Sequence, residues 1–236
     1  MKHFLSGFNA VFLKDLIAEL RAKQVLPSML VLGLLIMWIL RLASSTSSID
    51  LAVTGPAALW ISILFSGLLA QERSFSVEKE NGCLEALLLA PVDAGTVYLA
   101  KVAVNLVMLC VFEIVIVPAA ILMFRLEVSD WPVLVAVLML GNLAISGVGT
   151  LFSALVCGAG ARGAVLSVVV LAVLMPVMVP AVFALMVVFG AVPAALVGTG
   201  ALAFVGSLGS ALGYMVAFDA VFIAACWLLF GIAVRD

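Results

Sequence analysis

The segment that decides the fold is 164-AVLSVVVLAVLMPVMVPAVFALMVVF-189, an apolar run without a single charged side chain. The ~30 Å hydrocarbon core of a bilayer requires about 20 consecutive apolar residues in a helix, and this run is longer. Pro176 and Pro180 interrupt the run, and prolines inside a helix predict kinks. We therefore predict a membrane-spanning helix over residues 164–189.

The rest of the chain repeats this pattern. Of its 236 residues, 67% are hydrophobic and 10% are charged, whereas a soluble domain is roughly half apolar and a quarter charged. This composition excludes a water-soluble globule. The sequence predicts an all-α polytopic membrane protein with one transmembrane domain over residues 1–236. Its six spans are predicted at residues 25–40, 53–70, 102–124, 131–156, 164–189 and 214–233.

Two further segments do not fit a membrane span. Residues 4–23 place apolar side chains such as Phe8 and Phe12 on one helical face, with Lys14 turned away, which predicts an N-terminal interfacial helix. An ordinary soluble N-terminal helix is the alternative. Residues 190–213 are uncharged but rich in small residues, so their hydrophobicity is low for a span. We interpret them as an outer or re-entrant segment.

The basic residues predict the orientation of the chain. Arg41 and Arg125 lie at one set of span ends, whereas the other Lys and Arg residues lie at the opposite set. Cytoplasmic ends of spans carry the excess of Lys and Arg. Both termini and residues 71–100 are therefore expected in the cytoplasm.

The sequence offers no catalytic, cofactor-binding or metal-binding motif. The only histidine is His3, and Cys83, Cys110, Cys157 and Cys226 stand far apart without a C-x-x-C pair. No Gly-rich phosphate loop occurs, so we do not expect an enzyme. The net charge of −2 provides no basic surface for nucleic acid.

The longest charged segment, 71-QERSFSVEKENGCLEALLLAPVDAG-95, lies between the second and third predicted spans. Within it, Asn81 can cap a short helix that Pro91 ends, and Glu85 stands in its first turn. Leu84, Leu87 and Leu88 would form one apolar face of that helix. Such an exposed face either contacts a partner protein or lies on the membrane as a connector.

The run 78-EKENGCLEALLLAP-91, followed by Leu99-Ala100-Lys101, resembles the D-G-x-L-E-x-L-x-x-x-P…A-K signature of ABC-2-type exporter permeases. Within that group the chain is most similar to the cytochrome c maturation protein B family, the haem exporter permeases. Cys83 and Glu113 depart from that family's usual pattern.

The resemblance implies that residues 72–100 form a cytoplasmic coupling segment, with a coupling helix that docks on a separate ABC ATP-binding subunit. The residues implied in ATPase coupling are Asn81, Gly82, Leu84, Glu85, Leu87, Leu88 and Pro91. ATP would then be bound by the partner, and haem would be a handled substrate rather than a cofactor bound directly. The resemblance also implies a second permease copy, other cytochrome c maturation membrane proteins and a bacterial inner-membrane location.

Two acids fall within predicted spans, Glu113 near the middle of the third and Asp219 near the outer end of the sixth. A carboxylate at the centre of a span is unfavourable by ~2.5 to 3.5 kcal/mol on insertion scales, so each should face a partner or a cavity. A pathway role for Glu113 competes with a structural bond to Asn105, Asn142 or a carbonyl freed by Pro118. For Asp219 we expect a helix interface.

Small residues recur in the fourth span and before the sixth, and they predict close helix packing within the chain or between copies. They are Gly141, Ser146, Gly147, Gly149, Ser153, Gly206, Gly209, Ser210 and Gly213.

The sequence leaves three rival interpretations open. The first is an ABC-2 permease for another lipid or hydrophobic substrate. The second is an ion-coupled secondary transporter that uses Glu113 and Asp219, although we find no internal repeat of the kind such transporters usually show. The third is a membrane scaffold without transport activity.

Overall fold

The computed structural model describes residues 2–22, 24–45, 51–80, 93–159, 163–192 and 206–233. These residues form seven α-helices and no strand: α1 (Lys2–Ala22), α2 (Val25–Ser45), α3 (Leu51–Glu80), α4 (Ala94–Phe124), α5 (Trp131–Ala159), α6 (Gly163–Val188) and α7 (Leu208–Ala233). Helices α2 to α7 are long and apolar enough to cross a membrane. The predicted all-helical, six-span fold is therefore confirmed.

The helices extend beyond the predicted spans. Helix α2 continues past Arg41, whose Nε donates a hydrogen bond to the carbonyl oxygen of Met123 at 2.8 Å, so α4 supplies a partner for this charge. Helices α3 and α4 contain 30 and 31 residues. At 1.5 Å per residue each is about 45 Å long, more than the ~30 Å hydrocarbon thickness. Both helices are therefore long enough to project out of the membrane.

Helix α4 has defined caps at both ends. Asp93 is its N-cap, and the Asp93 Oδ2 accepts a hydrogen bond from the backbone N–H of Gly95 at 3.0 Å. At the other end Arg125 adopts the left-handed conformation (φ 54°), and its N–H donates to the carbonyl oxygen of Ile121. The predicted span started at residue 102 and so missed the first two turns of this helix.

Helix α7 begins at Leu208 rather than at residue 214. The backbone N–H of Ser210 donates to the Ser207 hydroxyl oxygen at 3.2 Å, and the N–H of Ser207 donates to the Ser210 hydroxyl oxygen at 3.0 Å. This reciprocal arrangement satisfies donors that a helix start leaves unpaired. Part of the predicted outer segment is thus helical, and residues 193–205 lie outside the described residues.

Helix α5 lies at the centre of the bundle. It packs against α3, α4, α6 and α7. In its membrane-crossing part 67% of the residues are buried within the chain, compared with 22% for α2 and 22% for α7. Helices α3, α4, α6 and α7 therefore assemble around α5, α2 packs on α3 and α4, and both α2 and α7 keep broad outward surfaces.

The close packing predicted for the fourth span is confirmed. At Gly141 a Cβ atom would collide with the indole ring of Trp60 on α3, and at Gly147 it would lie 3.1 Å from a side-chain carbon of Ile223 on α7. Glycines thus allow close approach to α5 from two sides. Gly206 and Gly213 have no neighbour within 4 Å of such an atom, so contact between copies remains a prediction for that group.

We predict that Gly141→Leu destabilises the fold, because the new side chain would occupy the volume of the fully buried Trp60 ring. Overpacking of this kind lowers the free energy of unfolding by about 1 to 3 kcal/mol. The measurement is thermal unfolding of the detergent-solubilised protein. Gly213→Ala is the control, since that position is open, and it should unfold like the parent. Equal stability of Gly141→Leu and the parent would contradict the α3–α5 packing.

Candidate functional site

The predicted coupling helix lies between the ends of two long helices. Its residues, Asn81, Gly82, Leu84, Glu85, Leu87, Leu88 and Pro91, lie outside the described residues. The described chain stops at Glu80, the last residue of α3, and resumes at Asp93, the N-cap of α4. From here on, the coupling segment means residues 81–92, the part of the predicted segment 72–100 that lies between α3 and α4 in the sequence. Any displacement of this segment reaches the membrane part through α3 and α4.

The α3 side of the coupling segment is tied to the junction between α1 and α2. The guanidinium of Arg73 donates to the Gln24 side-chain oxygen at 2.7 Å and to the Ser28 hydroxyl oxygen at 3.2 Å. Deeper in the bundle, the Ser66 and Ser62 hydroxyls donate to the carbonyl oxygens of Met29 and Gly33, both at 3.1 Å. Helices α2 and α3 are therefore held together along their length.

The α4 side is tied to α1 by a buried ion pair. The Lys101 Nζ lies 3.2 Å from the Asp15 Oδ2, and the two side chains are only 5% and 7% exposed. The Lys101 side chain thus points into the contact between α1 and α4. In the sequence, Asp15 lies one helical turn after the apolar residue Val11, and both residues are buried in the structure. That spacing is the sequence signal that could have indicated the burial of Asp15.

Helix α1 also carries an apolar face that the described chain leaves uncovered. Leu13, Ile17 and Leu20 follow one another at helical spacing and are 53%, 47% and 51% exposed. Phe12, which the sequence placed on the apolar face, and Leu16 pack partly against the bundle core instead. One side of α1 thus contacts α4, and another is available to a membrane surface.

Glu113 is buried among the helices of the bundle. It is 6% exposed, and its Oε1 makes no hydrogen bond within the described part of the chain. Of the three predicted partners, Asn142 of α5 lies near the Glu113 carboxyl group, but neither amide atom of Asn142 makes a hydrogen bond among the described residues. The Asn105 side-chain amide donates instead to the Thr150 hydroxyl oxygen at 2.8 Å. Glu113 therefore faces α5, the central helix.

Asp219 lies at mid-span, not near the outer end as predicted, because α7 starts at Leu208. It is 4% exposed, and neither carboxyl oxygen has a hydrogen-bond partner among the described residues. Asp219, Ile223 and Cys226 lie on one face of α7. Ile223 on this face contacts Gly147 of α5. This placement agrees with the predicted helix interface.

Four buried polar side chains form a stripe on one face of α5, and it was not predicted from the sequence that they share a face. Asn142, Ser146, Thr150 and Ser153 are at most 4% exposed and recur at the spacing of one helix face. The sequence signal was present, since four polar residues at this spacing interrupt an apolar span. The α5 stripe places hydroxyl and amide groups opposite α4, where Glu113 and Asn105 lie.

An apolar groove opens between α3 and α6. Its volume is about 820 Å³, and its wall includes Trp60 and Phe65 of α3 and Met175, Met178 and Phe183 of α6. Each of these residues is apolar over most of its surface, and none of the described residues that line the groove is charged. A groove with such walls suits an apolar guest such as an acyl chain or the face of a macrocycle.

Comparison with known proteins gives consistent matches. Residues 6–193 match the model of the family described as CcmB protein. The chain is 34% identical to heme exporter protein B of Haemophilus influenzae over 124 residues, and 26% identical to heme exporter protein B of Pseudomonas aeruginosa over 172 residues. It is 30% identical to heme exporter protein B of Paracoccus denitrificans over 124 residues.

The matched segments cover 52%, 73% and 52% of this chain, in the same order. They span 56%, 77% and 57% of the relatives' own lengths, which is little more than half for two of the three. The family match includes α1 to α6 and the whole coupling segment. The chain therefore belongs to the CcmB protein family.

Proposed function

We propose that this chain is the membrane permease subunit of an ATP-binding cassette exporter that handles haem in cytochrome c biogenesis. The observation that carries the proposal is the family match over residues 6–193, which includes the coupling segment. Three relatives in this family are named heme exporter protein B. The chain itself acts as a transporter subunit, and ATP is hydrolysed by a separate ATP-binding subunit.

The coupling segment is the proposed docking site for that ATPase. It connects α3 and α4, which are each about 45 Å long and can project beyond the hydrocarbon. The leucines Leu84, Leu87 and Leu88 supply an apolar surface that a groove on the ATPase would cover. A chain that contains no nucleotide motif can use ATP only through such a contact.

The proposed assembly contains two permease copies, two ATPase copies and other cytochrome c maturation membrane proteins. It resides in the bacterial inner membrane with both termini in the cytoplasm, as the Lys and Arg distribution favours. The exposed face of α1, with Leu13, Ile17 and Leu20, supports an interfacial position on the cytoplasmic leaflet. In this proposal haem is the cargo, and the chain itself binds no cofactor directly.

A second candidate is an exporter of another hydrophobic molecule or lipid. The observation that favours it is the α3–α6 groove, whose described lining residues are apolar and include no basic side chain to pair with the carboxylates of a porphyrin. An acyl chain needs no such partner. Transport of radiolabelled lipid by reconstituted vesicles, compared with transport of haem, separates the two candidates.

A third candidate is an ion-coupled secondary transporter, favoured by the two buried acids Glu113 and Asp219. Co-purification from mild detergent separates this candidate from the first two. A stoichiometric ATP-binding subunit in the purified complex supports an ATP-driven exporter. Purification of the chain without such a subunit favours the ion-coupled transporter.

The coupling segment yields the first functional prediction. Leu84→Asp and Leu87→Asp should leave the membrane spans inserted but abolish association with the ATPase. Loss of a central apolar contact weakens an interface by ~2 kcal/mol or more, and an unpaired buried charge weakens it further. A bulky residue at Gly82 should have the same effect. The measurement is pull-down of the ATPase, combined with ATP hydrolysis rates in vesicles.

Ala86→Asp is the matched control, because residue 86 lies on the face of the predicted helix opposite Leu84 and should tolerate the charge. Glu85→Gln should weaken coupling less than Glu85→Lys, since Glu85 either steadies the first turn or pairs with a basic residue of the ATPase. Normal binding and turnover in both leucine variants would remove the coupling-helix assignment.

The topology yields the second prediction. In a background whose native cysteines are replaced, a cysteine placed at Ser76 should resist an impermeant maleimide in intact cells and react after permeabilisation. A cysteine at Ser47, in the predicted outer loop, should react in intact cells. This pattern follows from the Lys and Arg distribution. Labelling of the Ser76 position in intact cells would reverse the proposed orientation.

Glu113 yields the third prediction. Glu113→Gln keeps the shape and one hydrogen-bonding oxygen beside Asn142, so insertion and export activity should be retained. Glu113→Lys places a cation among apolar neighbours and should prevent assembly. Membrane levels by immunoblot and holocytochrome c yield measure both effects. Loss of activity in a normally assembled Glu113→Gln protein would favour the ion-coupled alternative.

A further inference from the structure

The strongest unassigned feature is the ion pair between Asp15 of α1 and Lys101 of α4. The charged atoms lie 3.2 Å apart, and both side chains are more than nine-tenths buried. Withdrawing two charges from water is unfavourable, and replacing such a pair by apolar residues often does not weaken a fold. A contribution to stability alone is therefore a weak explanation for placing the pair here.

The position of the pair points to a role in coupling. Lys101 is seven residues after Ala94, about 10 Å from the start of α4, which the coupling segment enters through Asp93. Asp15 lies on α1, which packs along α4. Any movement of the coupling segment that displaces the start of α4 acts on α1 through this contact.

The other side of the coupling segment ends in a comparable tie. Arg73 of α3 bonds to Gln24 and Ser28, at the junction between α1 and α2. Both helices that leave the coupling segment are thus attached to the α1–α2 unit, one by a buried ion pair and one by exposed hydrogen bonds. The α1–α2 unit therefore connects the two helices that would carry the movement of the ATPase.

We propose that Asp15 and Lys101 are positioning residues for ATP-driven transport, which lock α1 to α4 so that the two helices move as one body. The proposal rests on the function proposed above. The pair acts through charge and geometry: the low-dielectric contact strengthens the attraction between the two ions, and slippage of α1 along α4 would leave a buried charge without its partner.

Lys14 provides an internal contrast. Its Nζ lies 3.1 Å from the Asp15 Oδ1, but its side chain is 51% exposed and belongs to α1 itself. An ion pair within one helix cannot connect that helix to α4. Exposed pairs also contribute little. Lys14→Gln is therefore expected to leave coupling unchanged.

The experiment compares four forms of the permease, each in complex with its ATPase: the parent, Lys14→Gln, a neutral pair (Asp15→Asn with Lys101→Met), and a charge swap (Asp15→Lys with Lys101→Asp). The swap is made in the Lys14→Gln background, so that the new lysine does not meet a like charge. The measurements are the amount of ATPase pulled down, the ATP hydrolysis rate in vesicles, and the holocytochrome c yield per assembled complex in cells.

The neutral pair should assemble with the ATPase and hydrolyse ATP like the parent, while its holocytochrome c yield per complex falls roughly 2- to 30-fold, the range seen when a residue that couples two sites is changed. The charge swap should recover most of that loss, which a role in packing alone does not explain. Lys14→Gln should match the parent.

Full yield from the neutral pair would overturn the proposal. So would a neutral pair that lowers the amount of assembled complex while the complexes that remain keep the parental yield, because the pair would then serve folding alone. Absence of an ATPase from the parent complex would overturn the proposed function itself, and this result is obtained from the parent before any variant is compared.

Discussion

The rest of the structure depends on one constraint: in hydrocarbon, a polar group must find its partner inside the protein. The chain keeps polar side chains of its spans inside the bundle, several of them at α5, the central helix, although Asn142, Ser146 and the two acids keep buried atoms without a hydrogen-bond partner among the described residues. Asn142, Ser146, Thr150 and Ser153 are all buried there, and Asn105 donates to Thr150 across the α4–α5 contact. The outward surfaces of α2 and α7 are left apolar, as lipid requires.

Small residues make this inward arrangement possible, because polar groups on neighbouring helices bond directly only when the backbones come close. Gly141 allows Trp60 to lie against α5, and Gly147 is contacted by Ile223 of α7, while the hydroxyl of Tyr98 donates to the Gly147 carbonyl oxygen at 3.0 Å. The same approach buries Glu113 and Asp219 without bringing either carboxyl group to the lipid. Close packing and polar burial are thus two consequences of one sequence pattern.

The sequence was sufficient to predict six spans, since long apolar runs in lipid have few alternatives to a helix. It was insufficient for the helix ends, because Lys101 lies inside α4 and pairs with Asp15, and because α7 begins at the Ser207–Ser210 capping arrangement, before Tyr214. The Asp15–Lys101 pair joins residues 86 positions apart, and no local pattern indicates which helix packs on α1. The seven coupling residues of the candidate site remain predictions, because residues 81–92 lie outside the described chain.

Polar groups occur at mid-span and near the coupling segment, and the two sets have different partners. This difference favours separate roles for the two sets. At mid-span, Glu113 and Asp219 lie in helices that surround α5, where a charge interacts chiefly with the bundle itself. Near the coupling segment, Lys101 and Arg73 bond to α1 and to the α1–α2 junction, so these contacts join helices rather than line the bundle core. Rigid-body coupling needs stiff helices with firm lateral attachments, and a passage through the membrane needs a surface suited to its cargo. Under the proposed function, the first requirement falls on the ends of α3 and α4, and the second on the apolar groove between α3 and α6.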